Sequence, residues 1–217
     1  MDKKQIQKGL EELKKINVKR KFKQTYDLIL SFKNLDMKKP EQQLDFFVAL
    51  PHDKGKKTKV CALVGPEMQE QAKEACDGVI MADDFDNYAK DKKAMKKLAE
   101  EYDYFIAQAN LMAKVATVFG RVFGPRGKMP NPKAGCVVPA NANLKTLVGR
   151  LQKTVRIQAK TTPMTQLAVG KEDSDEQMII DNIYALYDSI VHHLPSGINN
   201  LKHVYLKLTM SKPIKLE

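Results

Sequence analysis

The stretch Phe22-Lys23-Gln24-Thr25-Tyr26-Asp27-Leu28-Ile29-Leu30-Ser31-Phe32 alternates with a period of two. Phe22, Gln24, Tyr26, Leu28, Leu30 and Phe32 fall on one face, and Lys23, Thr25, Asp27, Ile29, Ser31 and Lys33 on the other. That is the pattern of a long strand with one buried side. Ahead of it, residues 2–21 read as a charged helix in which Ile6, Leu10, Leu13 and Ile16 recur at spacings of three and four. Behind it, residues 34–42 are polar with a proline, residues 44–50 form a second strand, and residues 51–57 are basic and turn-prone.

The grammar then changes. Strands expected at 59–64, 79–81 and 104–108 alternate with helices at 66–76, 91–101 and 110–119, which implies a parallel sheet with crossover connections. A basic loop follows, then a helix over 143–153. The two-fold period returns in 155–159 and 164–169. Ser174-Asp175-Glu176-Gln177 has the form of a capping box, opening a helix with the stripe Ile179, Ile183, Leu186 and Ile190, which Pro195 and Gly197 end. A last strand alternates through Val204, Leu206, Leu208 and Met210 before Ser211-Lys212-Pro213 stops it. The predicted fold class is α/β with two domains. Residues 1–57 and 155–217 make a discontinuous α+β terminal domain with a mainly antiparallel sheet, and residues 58–154 an inserted Rossmann-like α/β domain with a parallel sheet. Two crossings make a hinge.

Charge points to the partner. The chain carries 37 Lys and Arg against 26 Asp and Glu, a net +11. Residues 104–171 hold no acid but eleven cations: Lys114, Arg121, Arg126, Lys128, Lys133, Lys145, Arg150, Lys153, Arg156, Lys160 and Lys171. The rest of the chain balances. Such a run suits a polyanion, and a nucleic-acid backbone comes first because neutralising phosphates releases condensed counterions.

Other classes find little support. Gly127-Lys128 lacks the upstream glycine and the Ser or Thr of a phosphate loop, and the single Gly65 after its strand is no dinucleotide fingerprint. His52, His192, His193 and His203 form no metal motif, and Asp83, Asp84 and Asp86 read as a solvated helix start. Lys90 to Lys97 reads as the wet face of a helix. Cys61, Cys76 and Cys136 lack disulfide or zinc spacing and read as reduced thiols. No apolar run is long enough to span a bilayer, and the N-terminus lacks the apolar stretch of a secretory signal, so a cytoplasmic protein with no membrane, cofactor or metal is expected. The rival readings are a nucleotide-using enzyme built on the inserted domain, and a DNA-binding regulator.

Gly120-Arg121-Val122-Phe123-Gly124-Pro125-Arg126-Gly127-Lys128-Met129-Pro130-Asn131-Pro132-Lys133-Ala134-Gly135 resembles the signature of the large-subunit ribosomal protein L-one family, of the mobile stalk beside the tRNA exit site. The resemblance extends to Lys21-Phe22 with Thr25 and Asp27, Leu50-Pro51-His52, Ala168-Val169-Gly170-Lys171, Ser174-Asp175-Glu176 and Thr209-Met210. Its length and Lys212-Pro213 ending look like those of archaeal and eukaryotic members and its intact loop motif like that of archaeal or bacterial ones, so the chain looks archaeal. The resemblance implies no catalysis. It implies that the terminal domain binds large-subunit rRNA, that the inserted domain moves as deacylated tRNA leaves, and that the chain represses its own mRNA. The implied partners also include other ribosomal components, and off the ribosome a monomer is expected.

The implied rRNA-binding residues are Lys21, Phe22, Lys23, Thr25, Asp27, His203, Thr209, Met210 and Ser211. Arg121, Arg126, Lys128 and Lys133 are implied tRNA or second rRNA contacts, with a rigid connection between sheet and helix as the alternative. The chemistry suits the roles: a flat ring packs on ribose or base, Thr25 and Thr209 reach 2′-hydroxyls, and Asp27 accepts from a 2′-hydroxyl or an amine. The alternation alone also allows Phe22 to be core. Ser211 departs from the family's usual glycine. The expectation is a costlier backbone or more distant RNA, with weaker binding that Ser211→Gly would tighten.

Overall fold

The N-terminal helix Lys3–Ile16 (α1) buries Ile6, Leu10 and Leu13, and the Asp2 N–H donates to Gln5 Oε1 at its start. It stops five residues short of the expected end. Asn17 turns extended and Val18 is exposed, which frees residues 17–24 to form a loop. The alternating strand accordingly runs Thr25–Phe32 (β1), with every second side chain buried. Leu44–Ala49 (β2) follows. In this computed structural model, which describes residues 1–216, the chain splits into two compact units. One is Met1–Lys56 with the chain from Lys153 onward; the other is Lys57–Gln152.

The second unit begins with Val60–Val64 (β3), buried at every residue, as the middle of a parallel sheet requires. It continues with Gln69–Ala75 (α2), Gly78–Met81 (β4), Phe85–Lys90 (α3), Lys92–Glu101 (α4), Tyr104–Gln108 (β5), Met112–Phe123 (α5), Val137–Val138 (β6) and Leu144–Lys153 (α6). The strand order is β4-β3-β5-β6, all parallel. Two elements of this unit escape the sequence reading: α3 is a turn and a half among acids, and β6 is two residues long. The core here is aromatic, with Phe105 and Phe123 rings 4.2 Å apart and Phe85 meeting Phe119 edge-on at 5.3 Å. Cys61 and Cys136 are buried and Cys76 half-buried; all three are free thiols. Burial pushes the Cys61 thiol up to about 12 and those of Cys76 and Cys136 to about 11.

The chain returns to the first unit through Thr154–Ala159 (β7), paired antiparallel with β2. Met164–Lys171 (β8), Glu176–His193 (α7), Leu201–Leu208 (β9) and Ile214–Lys215 (β10) complete it. Their antiparallel sheet runs β10-β9-β1-β8. Ile179, Ile183, Leu186 and Ile190 of α7 join the α1 stripe, Leu28 and Leu30 of β1 and Leu206 of β9 in one core. The expected capping box does not form. Asp175 is the N-cap without a side-chain bond, and Ser174 Oγ accepts from the Lys171 N–H in the preceding turn. Met210 lies beyond β9 and is 59% exposed, not in phase with the strand's buried face.

Candidate nucleic-acid interface

Residues far apart in sequence meet where β1 begins and β9 ends. The Thr25 N–H donates to Thr209 Oγ1 at 3.1 Å and the Thr209 N–H to Thr25 O at 3.1 Å. One residue upstream, the Gln24 side chain is 1% exposed and bonded at both ends. Its Oε1 accepts from the Met210 N–H at 3.0 Å and its Nε2 donates to Asn17 Oδ1 at 2.8 Å. Asn17 Nδ2 donates to Glu172 Oε1 at 2.7 Å, the Gln24 N–H reaches Glu172 Oε2 at 3.3 Å, and the Glu172 N–H returns to Gln24 O at 2.9 Å. A buried amide needs partners for both its donor and its acceptor, and here they tie three loops together.

This clamp displays what it does not bury. Phe22 is 52% exposed, so the core alternative for its ring fails: the chain leaves the ladder before Thr25. Residues 19–23 with Glu172 and Asp173 line a shallow depression of about 310 Å³. Lys23 pairs with Asp173, whose hydrogen bond raises the lysine's pKa and in turn lowers that of the carboxylate.

Asp27 lies two residues into β1, beside a register shift against β8 and opposite Lys207 on β9. Partial burial pushes its carboxyl pKa up, against the pull of Lys207. Ser211 takes no left-handed backbone, since Asn34 is the one non-glycine at positive φ among the described residues. The expected strain is therefore absent. Instead Ser211 Oγ accepts from the Leu208 N–H at 2.8 Å, and the Ser211 N–H donates to Leu208 O at 3.1 Å, closing the turn that carries Thr209 and Met210. His203 is not brought to this edge. It pairs with Ser31 in the β1–β9 register, and six strand residues at about 3.3 Å each put it roughly 20 Å from Thr209.

The second set, in the other unit, divides in two. The basic loop is not free of helix, because α5 runs on to Phe123. The Lys128 N–H donates to Phe123 O at 3.0 Å and the Gly127 N–H to Gly124 O at 3.0 Å, a Schellman closure that needs Gly127 at φ 65°. Arg126 donates to Lys96 O and Glu100 Oε1, each at 3.1 Å, and Lys128 Nζ to Tyr102 O at 2.6 Å. Both side chains brace the turn. Arg121 on α5 and Lys133 are exposed and make no side-chain hydrogen bond or ion pair among the described residues. Nor does the acid-free run stay free of acids once folded: Lys114 pairs with Asp86, and Arg156 and Lys160 both pair with Asp45. Sequence distance hid those carboxylates.

At the carboxyl ends of β3 and β5, where such sheets bind nucleotides, the Gly65 N–H is taken by Gln108 Oε1 at 3.0 Å. No group of three or more metal-ligating side chains occurs among the described residues. No described helix is long and apolar enough to cross a membrane. Gln24, Asn17 and Glu172 were missed as site residues. The available signal was a glutamine in phase with Tyr26 and Leu28 on a buried face.

Residues 13–212 match the Ribosomal protein L1p/L10e family. The chain is 39% identical, over its whole length and that of the relative, to the large ribosomal subunit protein uL1 of Methanothermococcus thermolithotrophicus. It is 36% identical to the protein of that name from Methanocaldococcus jannaschii, over all of this chain and 97% of the relative. With the uL1 of Nanoarchaeum equitans it shares 39% over 91% of this chain and 93% of that one.

Proposed function

The chain belongs to the Ribosomal protein L1p/L10e family, whose relatives above are large-ribosomal-subunit proteins, and from that premise we propose that it grips large-subunit rRNA through the edge clamped by Gln24. The observation that carries this reading is the pairing of Thr25 with Thr209 and of Gln24 with Met210, which sets exposed Phe22 and Met210 among Lys21, Lys23 and Lys212. Phe22 packs on a ribose or base face, Thr25 and Thr209 hydroxyls meet 2′-hydroxyls, and the cations meet phosphates. Asp27 supplies an acceptor that phosphate-seeking lysines cannot, and so selects RNA groups that donate.

The chain works as a non-catalytic part of the stalk, in the cytoplasm on the ribosome. The unit of residues 57–152 contributes Arg121 and Lys133 as contacts for deacylated tRNA or a second rRNA segment, helping the tRNA leave. Arg126 and Lys128 hold the turn that presents them. An mRNA that copies the rRNA fold occupies the same edge, which makes the free protein a repressor of its own message. The test is filter binding of a transcript of the stalk region. Its association constant is expected to fall steeply with salt, by orders of magnitude over a few-fold rise, and to exceed that for an unrelated duplex of equal length. Equal binding of both RNAs would refute the proposal.

A further inference from the structure

From Thr25 to Phe32, roughly 23 Å at about 3.3 Å per residue, β1 leads away from the proposed RNA edge to the opposite pole of its unit. Asn34 there takes φ 58°. Such a backbone is costly and persists only where its surroundings hold it. What holds it is a second buried amide. Asn200 is 4% exposed; its Nδ2 donates to Lys33 O at 3.2 Å and to Asn34 O at 3.4 Å, and its Oδ1 accepts from the Ser196 N–H at 2.7 Å. The Lys33 N–H completes the tie by donating to Asn200 O at 2.8 Å. Beyond Asn34 the loop bonds to itself. Asp36 Oδ1 accepts from the Lys38 N–H at 3.0 Å, the Asp36 N–H donates to Gln42 Oε1 at 2.6 Å, and Gln43 Nε2 donates to Met37 O at 2.9 Å. On the other side of the tie, Gly197 at φ 55° opens the short turn Gly197–Asn200. Leu35 and Val191 pack on the core from these segments, whereas Met37 is half-buried and Ile198 is 56% exposed. Lys33, Lys38, Lys39 and Lys202 of the same segments are exposed and form no ion pair among the described residues. Against them stand Asp36, engaged within the loop, and Glu41.

We propose that this pole is a docking surface for a segment of another protein, one that carries apolar side chains among carboxylates. Its apolar groups cover Ile198 and Met37, and its carboxylates meet Lys38 and Lys39. The surplus of cations calls for an acidic partner, and the aliphatic side chains gain only by leaving water against apolar ones. RNA meets the first requirement and not the second, because residues 33–43 and 195–202 include no aromatic ring on which a base could stack. Rigidity adds to the case. A surface ordered in advance spares a partner the cost of fixing it, and backbone strain held by a buried amide is of the kind found at sites of recognition. The reading goes beyond RNA binding and does not depend on it.

The experiment uses the whole protein and a short fluorescein-labelled peptide that alternates leucine with aspartate and glutamate, read by anisotropy. Its Kd is expected to rise about tenfold in Ile198→Ser, a change at an exposed position that urea unfolding should show to leave stability intact. Lys38→Gln combined with Lys39→Gln should raise the Kd about threefold and flatten its salt dependence. Asn34→Gly tolerates the positive φ and should bind as wild type does, which separates the backbone's shape from the side chain that adopts it. Peptide binding that is undetectable, or equal in wild type and Ile198→Ser, overturns the proposal. So does equal affinity for a peptide with serine in place of leucine, which would reduce the surface to charge alone. Displacement of the peptide by oligouridylate or by phosphatidylserine vesicles would likewise overturn it, in favour of a nucleic acid or a lipid surface.

Discussion

Replacing Gln24 with leucine keeps the side chain's volume but removes both ends of the clamp. The Met210 N–H loses its acceptor at 3.0 Å and Asn17 Oδ1 its donor at 2.8 Å, in a site where Gln24 itself is 1% exposed. A neutral hydrogen bond contributes about 1 kcal/mol, and a partner left unsatisfied and sheltered costs about 1–3 kcal/mol. Two such losses, eased because the Met210 loop can turn towards water, come to about 3 kcal/mol for the unit that holds the edge. At roughly 2–4 °C per kcal/mol the corresponding melting step drops by about 10 °C. Binding suffers separately. With Met210 untethered while Thr209 and Ser211 keep their own bonds, RNA must order it, at about 0.5–1.5 kcal/mol, so about 1 kcal/mol or roughly fivefold in Kd. Gln24→Glu should fare no better, because its second oxygen would face Asn17 Oδ1 beside the Glu172 carboxylate. The assay pairs urea unfolding with filter binding of the stalk transcript well below the melting step. Loss of stability with Kd unchanged within twofold would refute a positioning role for Gln24.

Asp173→Asn releases Lys23 for phosphate; binding of the transcript should tighten and the salt slope steepen by about 0.7–0.9, and an unchanged slope in a salt titration would show the lysine is not used. Asp45 accepts from Arg156 at 2.9 and 3.1 Å and pairs with Lys160 at 2.8 Å, which hold its pKa below the ordinary carboxylate value. A depressed folded pKa gives stability that is present above the unfolded value near 3.9 and is lost as pH falls through the folded one. Asp45→Asn should therefore cost about 1 kcal/mol in urea at pH 7, and the gap to wild type should close on acidification below about pH 4; a gap that persists at pH 2 contradicts the assignment. Asp27 is raised by partial burial, so its charge opposes folding once the pH exceeds its folded pKa. Asp27→Asn is expected to keep or raise the melting temperature at pH 7 while weakening the transcript, and a fall in both would mark Asp27 as structural. Ser211→Gly strips the acceptor from the Leu208 N–H and should lower the melting step by about 3 °C, against no change if the turn closes without it.

The period-two run from Phe22 and the alternation of strands and helices from residue 59 suffice to read a two-domain α/β chain. Buried periodicity is a direct imprint of packing. Boundaries slipped where packing and capping diverge. The Ser174 box lost to a turn at Lys171, α5 ran four residues past Phe119 because Phe123 still reaches the aromatic core, and α1 stopped early because Asn17 is recruited by Gln24 and Glu172. The basic and aromatic candidates could be named from the resemblance, but not their grouping. Arg126 and Lys128 look as available as Arg121 until Glu100 and Tyr102 are placed beside them.

The clamp joins positions 24 and 210, a separation of 186 residues that contains the whole of the unit Lys57–Gln152. Closing so long a connection costs entropy that grows only slowly with length, so the intervening unit is a tolerable insertion. It also makes the edge the last thing to form. During synthesis the N-terminal segments emerge first, yet Thr25 and Gln24 lack their partners until residues 209 and 210 are available. The proposed RNA, bound to the edge, would then stabilise the joined ends by mass action, since it would bind the closed arrangement and not the open one. On the proposed reading, recognition of RNA is thereby confined to a chain whose two ends have met, with the exposed Phe22 and Met210 held by a buried glutamine and not by the cations around them.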